Sequence, residues 1–170
     1  MKMNLQFFAL DRTNMVSLFD IGSWLGGASE KLVEMGDGYN SLSEDWGPSF
    51  KDTQYVNMKN SASSLNGYAF SMTPEREHLS DEMQKAINTA FKKFPTGDAA
   101  KTYYYRFYKS DVTGTSGECI RIPVVAGPSS TGGDAGDALT SSVEIHGNGE
   151  VEVGIITIGT GGTFTWAAKK

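Results

Sequence analysis

The side chains with the most chemical reach are one thiol, Cys119, two imidazoles, His78 and His146, and twenty carboxylates. A thiol nucleophile needs a base to take its proton and a third group to orient that base. Cys119 has no histidine within sequence reach and precedes an alternating apolar run, so it reads as an inert strand thiol. One cysteine and two histidines do not make a zinc set, and a lone cysteine closes no internal disulfide. Paired carboxylates are available everywhere, yet no spacing marks one pair out as an acid and a base. Gly132-Gly133-Asp134-Ala135-Gly136-Asp137 lacks the Gly-Lys-Ser/Thr ending of a phosphate loop and the recurring register of a calcium nonapeptide. Gly159-Thr160-Gly161-Gly162 lacks the spacing and the following helix of a dinucleotide fingerprint. Both read as turns between strands. The expectation is a protein that is not an enzyme and takes no metal and no cofactor.

The elements that would position such groups amount to about one domain, since the chain has 170 residues. A formal charge of -5 argues against a basic grip on nucleic acid. No apolar run has the length of a membrane-spanning helix, so no membrane partner is expected. Residues 1–27 read as an N-terminal arm. Its opening carries Lys2, but Asn4 and Gln6 interrupt the apolar run and Asp11-Arg12 close it, which suits contact residues Phe7, Phe8 and Leu10 better than a cleaved signal. Charge is uneven beyond the arm. Residues 111–168 hold seven acids against Arg121 alone, a local net of -6.

The clearest element is a helix over about residues 81–93. Ser80 is the expected cap, Asp81 and Glu82 suit the positive end of the dipole, and Lys92 and Lys93 suit the negative end. Met83, Ala86, Ile87, Ala90, Phe91 and Phe94 recur at steps of three and four on one core face. Thr73 to Glu77 reads as a turn leading in. His78 beside it reads as solvated.

Most of the rest alternates with period two. Tyr103 to Tyr108, Ile120 to Val124 and Thr163 to Trp166 read as strands, with Pro123 placing its strand at an edge or on a bulge. Around Gly147-Asn148-Gly149 a three-residue hairpin with Gly149 left-handed would pair Ile145 with Val151, Val143 with Val153, Glu144 with Glu152 and His146 with Glu150. That register sets two glutamates against each other, away from an apolar face.

Several ordered blocks resemble a known family. Glu34-Met35-Gly36-Asp37-Gly38, Trp46-Gly47-Pro48, Gln54-Tyr55-Val56 and Asn60 to Tyr68 form one set. Val124-Val125-Ala126, Gly132 to Leu139, His146 to Gly149 and Gly162 to Trp166 form another. Together they are similar to the major tail proteins (tail tube proteins) of long-tailed bacteriophages of Gram-positive hosts. The resemblance implies a mainly β fold, a β-sandwich or split β-barrel flanked by one helix, here spanning residues 28–170.

It also implies a structural virion protein, assembled in the host cytoplasm into stacked hexameric rings. The implied partners are other copies of the chain, a tape measure protein in the lumen, and terminator and distal tail proteins at the ends. DNA would pass through without being bound. On that reading Trp46, Pro48 and Phe50, in the loop from Gly36 to Asp52, are expected at ring-to-ring contacts. Phe7, Phe8 and Leu10 are expected to order on a neighbour. Glu144, Glu150 and Glu152 are expected in the lumen with Asp134 and Asp137 at its rim, repelling phosphate. Two other readings stay open. A carbohydrate-binding β-sandwich would use Tyr104, Tyr108, Trp46 or Trp166 as stacking platforms, and a head-to-tail connector or decoration protein would share the composition.

Overall fold

A computed structural model describes residues 11–169. Phe7, Phe8 and Leu10 lie outside the described residues. The first strand, β1 (Met15–Asp20), falls where the sequence suggested an arm, and this is a correction. It pairs with β2 (Leu32–Glu34) on one side and β7 (Lys101–Thr113) on the other, and all but its first residue are buried. A strand covered on both faces loses the polar alternation that would reveal it. Asp20 then accepts from the backbone N–H groups of Gly22, Ser23 and Lys31, folding the following loop back onto the sheet. The loop delivers Trp24 to the core, where its indole N–H donates to the Ala126 carbonyl at 3.1 Å and its ring meets Phe19 edge-on.

The main sheet is antiparallel and built on β8 (Ser116–Gly132), which lies beside β7. Its other edge is shared. β9 (Thr140–Gly147) pairs with residues 124–132 of β8, and β10 (Glu152–Ile158) pairs with residues 116–121. β9 and β10 therefore run in one line along the same neighbour, and the expected hairpin between them does not form. Gly147-Asn148-Gly149 interrupts a line of strand and does not reverse it, and Gly149 is not left-handed. It lies against the Pro123 ring, where an added Cβ would come within 3.2 Å of the ring. Pro123 itself sits in an interior strand, not at an edge, and the register irregularity that this strand carries falls between Pro128 and Ser130, away from it. Its missing N–H faces the break between β9 and β10, and its carbonyl takes the Asn148 N–H at 2.8 Å.

Beyond β9 lie β5 (Ser71–Met72) and β6 (Glu75–Glu77), so the Thr73 to Glu77 stretch contributes a short strand as well as a turn. Beyond β10 lies β11 (Phe164–Ala168). A fold of this composition, mainly β with one helix and a second small sheet, is sandwich-like, as the sequence suggests.

Each face of the sheet buries its own core. One holds Phe19, Trp24, Tyr104, Ile122, Val124, Val143 and Ile145 under α1 (Glu82–Lys93), which inserts Met83, Ile87 and Ala90. The other holds Val16, Leu18, Tyr105, Phe107, Cys119 and Ile156, closed by Phe164 and Trp166 as β11 and β2 approach each other. Trp166 lies so close to Gly154 that a Cβ there would fall 2.5 Å from the indole, so glycine is required.

The helix is capped by Asp81 and not by Ser80, through a bond from the Gln84 N–H at 2.8 Å. Asp81 also takes two bonds from Arg76, whose guanidinium group is buried. Ala86 and Phe91 are partly buried against the same core. Phe94 departs from the expected core face: it ends the helix at φ 45° and is 65% exposed.

Candidate functional site

Two surfaces stand out because apolar groups on them have no cover. The first is a hairpin of β3 (Pro48–Thr53) and β4 (Ala62–Tyr68), which pair only with each other. No residue of either strand is buried. Phe50 and Leu65 are cross-strand partners and so share a face, at 64% and 45% exposure. Tyr55, Val56 and Tyr68 are exposed as well.

The hairpin is firmly rooted. Glu44, with 6% of its side chain exposed, accepts from the Tyr104 hydroxyl at 2.6 Å, the Arg106 guanidinium at 2.7 Å and the Trp46 indole N–H at 3.2 Å. Burial, and next the Glu44 carboxylate, push the Tyr104 phenol far above its ordinary range, so it stays a donor. Trp46 meets Phe70 edge-on, and Phe70 stacks on Tyr104. Of the three residues expected at a stacking surface, Pro48 and Phe50 are exposed, whereas Trp46 is half-buried in this root.

The second surface is the outer side of β10. Gly154 and Ile156 point inward, while Val151, Val153 and Ile155 are 42%, 45% and 36% exposed. Val151 and Val153 thus belong to an open apolar face and not to a buried one. An open cleft of about 500 Å³ separates Val151 from the hairpin root at Trp46, Tyr68 and Phe70.

The acidic residues divide. Asp134 and Asp137 are exposed in the connection from β8 to β9, and Glu150 is exposed between β9 and β10. Glu144 pairs with His146 at 3.1 Å, and Glu150 is not that histidine's partner. Glu152 faces Arg121 across the ladder, and the two form an ion pair. Arg121 lies over the rings of Trp166 and Tyr103, at 3.8 and 4.6 Å from their centroids. The expected pair of opposed glutamates is therefore absent.

The groups that might have carried chemistry are placed apart. Burial pushes the Cys119 thiol up to about 12, so it holds its proton. His78 is half-buried rather than solvated, and its Nε2 has no partner among the described residues. Among the described residues no three His, Cys, Asp or Glu side chains cluster to hold a metal. No described helix is long and apolar enough to cross a membrane. Tyr104 is fully buried and unavailable as a sugar-stacking platform. Arg76, Glu44 and the exposed Leu65 carry no local sequence signal, since their roles depend on partners distant along the chain.

No protein-family model and no curated protein matches the chain. Solved structures do. A chain in the tail of an empty GTA particle, refined with C6 symmetry, matches with a TM-score of 0.59 at 10% identity, covering 84% of this chain and 97% of that one. The PVC sheath/tube terminator structure of an extracellular contractile injection system, in the extended state, gives 0.54 at 11% identity, over 86% and 96%. The tube terminating cap of the anti-feeding prophage gives 0.52 at 12% identity, over 92% and 96%. At such identities the likeness is one of fold: this chain has a fold found in components of phage-like tail particles.

Proposed function

We propose that this chain is a structural tail protein whose copies form rings that stack into a tube. The observation that carries this reading is the fold shared along nearly the whole of both chains with components of tail particles. The C6 symmetry of the GTA tail supports six subunits per ring. The sequence resemblance favours the tail tube of a long-tailed phage of a Gram-positive host over a connector or decoration protein. On this reading the chain assembles in the host cytoplasm, resides in the virion tail, encloses a tape measure protein and meets terminator and distal tail proteins at the tube ends. DNA traverses the lumen unbound.

Within such a tube Pro48 and Phe50 make ring-to-ring contacts from the hairpin, with Trp46 holding its root. Glu144 and Glu150 face the lumen with Asp134 and Asp137 at the rim, while Arg121 neutralises Glu152 beside them. Contact of Phe7, Phe8 and Leu10 with a neighbouring subunit rests on the sequence alone. Negative-stain microscopy and analytical ultracentrifugation of the full chain test the reading. Rings or tubes are expected, and a monodisperse monomer at every concentration and salt overturns it.

A further inference from the structure

We propose that the outer face of β10 is the seat for the β3–β4 hairpin of a second copy of this chain, an inference that rests on the tube reading and names the two surfaces that meet. A strand with one solvated face alternates apolar with polar side chains. β10 does not: Ile156 is buried on one side, and Val153 and Ile155 stand open on the other. Val153 lies opposite the half-buried Ile120 of β8, and Ile155 lies between Ala167 of β11 and Glu118 of β8, so the apolar patch runs from Ile120 through Val153 and Ile155 to Ala167. Helix α1 covers the half of this face that holds Val124, Ala126, Val143 and Ile145, whereas on the β10 half the cover is the Glu118–Lys169 ion pair at 2.8 Å, which leaves Val153 and Ile155 exposed.

The occupant is identified by complementarity. The hairpin presents Phe50 and Leu65 on one face and has no cover of its own, so it does not lie on its own β10. Its residues 48–68 carry Lys51 and Lys59 against Asp52, a net of +1, whereas the exposed Glu150 next to Val151 has no ion-pair partner among the described residues. Apolar area and opposite charge thus come together when the hairpin of one copy meets β10 of another. The two surfaces differ, so the contact is head-to-tail, and repeated it generates a ring or a continuing stack.

The test uses full-length chains in trans. A Leu65→Cys chain is mixed with a Val153→Cys chain under assembly conditions and oxidised with copper phenanthroline and oxygen. A cross-linked dimer is expected in the mixture and in neither variant alone, with buried Cys119 silent. A mixture of Leu65→Cys with Lys85→Cys, on the exposed side of α1, should give none. Val153→Glu should keep the wild-type thermal melt and lose tubes. Tubes without the Leu65–Val153 cross-link, or a stronger link to position 85, overturn the proposal while the tube reading stands. If wild-type and variant chains alike stay monomeric, both fall.

Discussion

The curled sheet and the β3–β4 hairpin belong to one chain but follow opposite rules. In the sheet both faces are put to use: Val16 and Leu18 go into one core while Phe19 goes into the other, and a 17-residue strand, β8, is paired along both edges. In the hairpin neither face is used and the strands pair only with each other. An isolated two-stranded hairpin is marginal in water. Here it is held by its root, where Glu44, Trp46, Phe70 and Tyr104 tie it to the sheet. Residues of the sheet should therefore govern folding, and residues of the hairpin should govern association.

Four variants test that division. Trp24→Ala removes a buried indole and its bond to Ala126, and should cost about 3–5 kcal/mol of unfolding free energy, read from urea denaturation. Asp81→Ala removes a helix cap and leaves the buried Arg76 guanidinium unpaired, a loss of about 3 kcal/mol. The hydrogen bond from Arg76 holds the Asp81 carboxyl below its ordinary range. A depressed folded value contributes stability that is complete above the unfolded value of about 4 and is lost as pH falls through the folded one. Below pH ~4 the Asp81→Ala protein should accordingly lose stability less steeply than wild type in acid titrations followed by circular dichroism.

Glu44→Gln keeps the shape of the root but weakens its charged bonds. About 1–3 kcal/mol is expected, together with faster amide exchange in residues 48–68 than in β7. If the hairpin exchanges no faster in this variant, the root is not what holds it. Phe50→Ser with Leu65→Ser should change monomer stability by less than about 0.5 kcal/mol per site, because both are exposed, and should abolish tubes seen by microscopy. A large loss of stability here would show that the hairpin helps to hold the fold.

The parts legible in sequence were those with a local cause. The helix follows from caps and three-four spacing, with two departures: the cap is Asp81 in place of its neighbour Ser80, and Phe94 leaves the core face. β7 and β11 announced themselves through aromatic alternation. β1 did not, because Val16 to Asp20 are all buried and no polar period survives. Around Gly147 to Gly149, matching Val143 to Val153 gives consistent faces for a hairpin, yet the chain does not reverse there, because both strands pair with the long edge of β8. Of the candidate surfaces, Phe50 was visible as an aromatic in a polar stretch. Leu65 was hidden in Ala62-Ser63-Ser64-Leu65-Asn66, and Glu44 was one carboxylate among twenty.

Pro123 gives the sheet a seam. On one side of it β8 is laced to β9, on the other to β10, and at the seam itself one rung has no donor. Tyr103 of β7 still pairs with Pro123, and the Asn148 N–H still meets the Pro123 carbonyl, so the seam is one missing donor and not a gap. A ladder that lacks a donor resists twist less at that rung than elsewhere, which sets the place along β8 where the two halves of the sheet can differ in pitch at least cost.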